Sequence, residues 1–250
     1  ELFTLRWLHV VCSVMWIGPL WYFNFAQGPF MNEVDAPVQS AVNAKLAPRT
    51  LWYFRWGAMG TLITGWLIIL LRVSQGISLS SSWGATILTG ALFGTLMWFN
   101  VWFVIWPRQK MIVAAAQGGP AVENAAAVAR RAFLASRTNT LLSIPLLFLM
   151  GAASHLPISV DPSKVGLWIG LIVVFLVLGL TAYMTMRGFL GVIRINTLDT
   201  VSTVIEVSIL LVVMTGSTLA LIFVRRTGGF KWVQILILIC LGYQLGMLLF

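Results

Sequence analysis

Seven apolar stretches, residues 2–25, 51–71, 83–106, 133–153, 165–186, 201–224 and 232–250, occupy most of this 250-residue chain. A helix crosses the hydrocarbon of a bilayer with about 20 residues, so each stretch is close to or above spanning length. Only 9% of the residues are charged, whereas a soluble domain carries about a quarter. Such a chain has too little polar surface to cover itself in water, and its solvent is lipid. Backbone amides in lipid must be satisfied internally, which leaves helices or a closed barrel. The stretches lack the period-two alternation of barrel strands. The expected fold is therefore all-α, an integral membrane bundle of seven transmembrane helices forming one domain over residues 1–250.

The formal charge of +9 does not indicate a nucleic-acid partner, because the basic residues sort by loop. Lys45, Arg49, Arg55, Arg108, Lys110, Arg130, Arg131, Arg137, Arg187 and Arg194 fall on one expected side, and Arg6, Arg72, Lys164, Arg225, Arg226 and Lys231 on the other. Ten against six follows the positive-inside rule. It places segments 28–50 and 107–131 in the cytoplasm and the N-terminus in the periplasm of a bacterial inner membrane. Segment 28–50, polar and punctuated by Pro29, Pro37 and Pro48, reads as a cytoplasmic loop long enough to hold structure. The Ala-rich stretch 121–135 reads as a helical extension of the fourth span.

Cys12 and Cys240 are far apart and inside apolar runs, which argues against a structural disulfide and offers no Cys pair at metal-binding spacing. Gly57, Thr61 and Gly65 on the second run, and Gly90 and Gly94 on the third, recur at four-residue spacing, the pattern that lets helices approach closely. Packing within the bundle is the expected use, a dimer face the alternative. Tryptophans near the ends of the runs form the aromatic belt of a membrane protein. Pro145, inside the fourth run, removes a backbone donor and favours a kink.

Polar residues inside the runs are costly and so mark candidate sites. Both histidines of the chain, His9 and His155, lie toward the same expected face. Neutral imidazole is an axial ligand for haem iron, and a haem can bridge two helices of a bundle. The plainer alternative is a histidine hydrogen-bonded to a neighbouring helix or to interfacial water. Arg55, Asn100, Arg137 and Asn139 cluster toward the opposite face as candidates for holding an anionic or planar polar substrate. Glu206, about two turns inside the sixth run, requires a cation, with Arg137 preferred over Arg55 as its partner in a structural ion pair.

Several stretches together resemble a known family. They are Arg6-Trp7-Leu8-His9 leading to Trp16-Ile17-Gly18 and Trp21-Tyr22-Phe23-Asn24-Phe25, then Leu46-Ala47-Pro48-Arg49 with Trp52-Tyr53-Phe54-Arg55-Trp56-Gly57. Asn100-Val101-Trp102 through Trp106-Pro107-Arg108 and Arg137-Thr138-Asn139 through Pro145 follow in order. This pattern, running from the first helix through the fourth, is similar to the membrane domain of PuuD-type urate hydroxylases, the N-terminal domain of membrane urate oxidase. The resemblance implies cytochrome-linked urate oxidation. The chain contains no Cys-x-x-Cys-His attachment motif, so electrons are expected to pass to an external c-type cytochrome. The first helix is also similar to that of HemJ-type protoporphyrinogen oxidases, which implies haem b at His9. Two alternatives stay open: a non-catalytic membrane subunit of a larger respiratory, photosynthetic or oxygenase complex, and a small-molecule transporter built on Glu206 and Arg137.

Overall fold

The structure, a computed structural model, describes residues 1–156. The expected helices over 165–186, 201–224 and 232–250, together with Glu206 and Cys240, lie outside the described residues. Within them the chain is helical, with no strand, and four helices are long and apolar enough to cross a membrane: α1 (Leu2–Glu33), α2 (Ala36–Ser74), α3 (Trp83–Ala116) and α4 (Ala125–His155). Each contains one of the first four apolar runs.

Segment 28–50 holds regular structure. It is helical apart from a break at Val34 and Asp35. Asp35 takes up an extended conformation and its carboxylate accepts a hydrogen bond from the Val38 amide at 3.3 Å, with Pro37 in the first turn. A capping acid followed by proline starts a helix rather than ending one. The Gln39 side chain donates back to the Met31 and Val34 carbonyls at 2.9 and 3.1 Å, stitching the break. At the other ends, Gly76 and Gly118 adopt φ of 85° and 89°, the left-handed turn that terminates α2 and α3 and suits glycine.

Three helices contain a wider, π-helical turn: Tyr22–Gln27 in α1, Val42–Leu46 in α2 and Asn100–Ile105 in α3. Each ends two residues before a proline: Pro29, Pro48 and Pro107. Proline cannot donate to the carbonyl one turn back, and its ring collides with it. Widening that turn by one residue gives the ring room.

α1 packs chiefly on α2, and α3 chiefly on α4. The first contact relies on the expected small-residue stripe. A Cβ at Gly57 would sit 2.8 Å from the backbone of Met15 and Trp16, and one at Gly65 would sit 3.0 Å from the His9 ring. Gly90 and Gly94 face Leu146, Leu149 and Met150 of α4 in the same way. Both stripes are thus spent inside the bundle. Trp16, Leu20, Phe93, Met97, Val101 and Leu149 fill the centre between the two pairs. Pro145 is buried within α4, which continues through it.

Candidate functional site

The two pairs are joined at one end by polar contacts and separated at the other by a cavity. At the joined end, the π turns carry Asn24 and Asn100 onto α4. Asn24 donates to Ser136 Oγ at 2.8 Å and to the Leu20 carbonyl, also at 2.8 Å. Asn100 donates to Asn139 Oδ1 at 2.9 Å, and Asn139 donates to the Met97 carbonyl at 2.9 Å. Trp21 donates its indole N–H to Ser143 at 2.9 Å. These buried bonds form a polar layer that fixes α4 to both α1 and α3, because a buried amide left without partners is costly.

The structure divides the four residues expected to gather around a substrate. Asn100 and Asn139 pair directly. Arg137 is fully buried, with its guanidinium 4.9 Å from the Phe133 ring. Two residues apart on a helix, the Arg137 and Asn139 side chains leave about 200° from one another, so they serve different faces of α4. Arg55 stands apart from both, between α2 and α3, against the rings of Trp56, Trp102 and Trp106. Sequence proximity of function-bearing residues had suggested one cluster; the helical period splits it. Glu206, the expected partner of Arg137, falls outside the described residues.

At the opposite end, a cavity of about 290 Å³ opens among all four helices. Its walls are mostly apolar. They include Trp16 and Ile17 of α1, Gly65 and Ile69 of α2, Gly90 and Gly94 of α3, and Leu146 and Met150 of α4, with Arg6 and Ser154 also lining it. His9 projects into this space. Its Nδ1 lies 3.0 Å from Thr64 Oγ1, and that hydroxyl donates its only proton to the Gly60 carbonyl at 2.6 Å. In the tautomer that donates Nδ1–H to this hydroxyl, Nε2 keeps a free lone pair. Ser13 closes onto the His9 carbonyl at 2.7 Å. Trp16, almost wholly buried, keeps an indole N–H that no acceptor among the described residues satisfies.

His155 does not line the cavity. It is the exposed last residue of α4, one position beyond Ser154. The residues that sequence reasoning passed over are Thr64, which bonds the His9 ring, and Trp16. Thr64 was signalled by its place on the α2 stripe beside Gly65, one position from the face that meets α1.

Among the described residues no cluster of three or more His, Cys, Asp or Glu could hold a metal ion by itself. His9 is a single ligand, of the kind that serves a metal already held in an organic ring. The mostly apolar walls suit an apolar group, and Arg6 offers a cation for carboxylates at its edge. The volume sits at the lower limit of small-molecule pockets, roughly 300–1,000 Å³, so these residues alone would grip part of a macrocycle rather than enclose it.

A family model described as urate oxidase N-terminal matches residues 70–218. The match takes in Asn100, Arg137, Asn139 and His155, and begins after His9 and Arg55. No curated protein and no solved structure matches the chain.

Proposed function

The chain belongs to the urate oxidase N-terminal family, and from that membership we propose that it is the membrane domain of a urate hydroxylase-type oxidoreductase that passes electrons to a c-type cytochrome outside this bundle. The observation that carries a redox reading is His9, held by Thr64 at the wall of a mostly apolar cavity. Haem b is the group proposed there, and when bound it supplies one-electron transfer. His9 acts as its ligand, Thr64 holds the imidazole, and the apolar walls exclude water. His155, exposed at the end of α4 and outside the cavity, has no part in this reading.

Substrate, a planar purine anion rich in carbonyl oxygens, is assigned to the polar end. Arg137 is the guanidinium drawn fully into the bundle there, and a planar fork suits such an anion. Asn139 holds Asn100 in place. With segments 28–50 and 107–131 cytoplasmic, urate would enter from the cytoplasm and electrons would leave toward the periplasm.

The test is the absorption spectrum of the purified chain. A reduced-minus-oxidised haem b difference that His9→Ala abolishes, with unchanged yield and helicity, supports the reading. A colourless protein that co-purifies with other membrane subunits would overturn it in favour of a non-catalytic subunit.

A further inference from the structure

The Arg55 guanidinium lies 3.8 Å from the Trp106 ring centre and 5.5 and 5.7 Å from those of Trp102 and Trp56. Trp56 and Trp102 stand edge to face at 5.5 Å, closing the box. Stacking on a ring stabilises the cation through the ring quadrupole. It leaves the N–H groups at the edge of the guanidinium without acceptors, since an aromatic face offers no lone pair. Among the described residues, the buried Arg55 Nε and the buried Trp102 indole N–H have no hydrogen-bond partner, and no carboxylate pairs with Arg55. A cation and two orphaned donors thus sit between α2 and α3 with no partner among those residues.

We propose that Arg55, on this face of the bundle, binds the phosphate of an anionic phospholipid through its guanidinium fork. A phosphate supplies the charge that Arg55 lacks and oxygens in the planar spacing its fork matches. The depth is right for a headgroup. Arg55 and Arg72 bracket the apolar part of α2 and are about 26 Å apart at 1.5 Å per residue, close to the roughly 30 Å of a hydrocarbon core. The surroundings are right for acyl chains. Tyr53 and Trp56 on α2, and Phe99 and Phe103 on α3, are exposed, the last two stacked at 4.9 Å. A free soluble anion would gain nothing from that apolar flank. The site is independent of the cavity around His9.

The whole chain, in nanodiscs of phosphatidylcholine doped with phosphatidylglycerol, would be released into a mass spectrometer under native conditions and its retained lipids identified. Wild type should retain one phosphatidylglycerol with about tenfold preference over phosphatidylcholine, the scale of one charge-assisted contact. Arg55→Gln should remove the preference, and Arg55→Lys, which keeps the charge but loses the fork and Nε–H, should retain only part of it. The Arg55→Lys result stays readable if the glutamine variant fails to fold. Equal retention by wild type and Arg55→Lys would overturn the fork as the donor. No preference in wild type, or its loss to millimolar inorganic phosphate or urate, would overturn the lipid assignment.

Discussion

Asn100 and Asn139 form a one-way chain of amides: Asn100 donates to Asn139, and Asn139 donates onward to the Met97 carbonyl, each at 2.9 Å. Both ends of the Asn139 carboxamide are therefore committed within the bundle, and the residue is fully enclosed. Its role is to hold α3 and α4 in register beneath whatever approaches Asn100.

Replacing Asn139 by leucine should lower stability by about 1–3 kcal/mol, because Asn100 and the Met97 carbonyl lose their buried partner. Thermal unfolding in detergent reads this. The double variant Asn100→Leu with Asn139→Leu should recover part of the loss, since removing both polar partners is cheaper than stranding one.

Gly57→Leu should break the α1–α2 contact, with a loss of about 1–3 kcal/mol or outright misfolding, because its Cβ would press on the Met15–Trp16 backbone. Gly18→Ala, where a Cβ meets nothing within 4 Å, should be neutral or stabilising by up to about 1 kcal/mol. Comparable losses from the two would refute this packing.

Thr64→Val keeps the shape of the side chain and removes the acceptor for His9 Nδ1–H. If His9 carries haem b, the variant should keep the haem but shift its reduction potential, as loss of a partner that orients a ligating histidine does. Spectroelectrochemistry of both proteins measures it. An unchanged potential would show that the Thr64 bond does not act on the metal.

Gln117 donates to the Ala44 carbonyl at 2.9 Å, which puts segments 28–50 and 107–131 at the same end of the bundle. Cysteines introduced at Glu33 and Gly118 should therefore react with a membrane-impermeant reagent from one side only, and the cytoplasmic side if the basic residues set the orientation. Labelling from opposite sides would contradict the structure.

Glu206→Gln and Arg137→Gln should be coupled if the two residues pair, with a double-mutant interaction of about 0.5–3 kcal/mol. Additive effects would remove the ion pair.

The first four spans were legible because lipid demands long apolar runs, and the glycine stripes because close approach tolerates nothing larger. Segment 28–50 is long enough to hold structure, but where its helices begin depends on Pro37 standing in a first turn behind a capping aspartate, where proline is at home. How the candidate residues are arranged was not legible in the sequence. Arg137 and Asn139 are too close in sequence to share a face, a point the helical period alone could have made. The partner of His9 is Thr64, 55 residues away, and no local pattern joins them. The family likeness was seen in the first four runs, while the matching model covers 70–218 and so reaches past them.

The prolines that follow each wide turn act on the bundle from outside its polar layer. Inserting one residue into a turn rotates everything beyond it by about 100°. Asn24 and Asn100 lie within the wide turns, so the step falls on the ends of α1 and α3 beyond Gln27 and Ile105. Were Pro29 or Pro107 exchanged for alanine, an uninterrupted α-helix would become the cheaper path, and those ends would turn relative to the polar layer with no side chain of the layer itself altered. The direction in which α1 and α3 leave the polar end is thus set by residues that contribute no polar side chain to it.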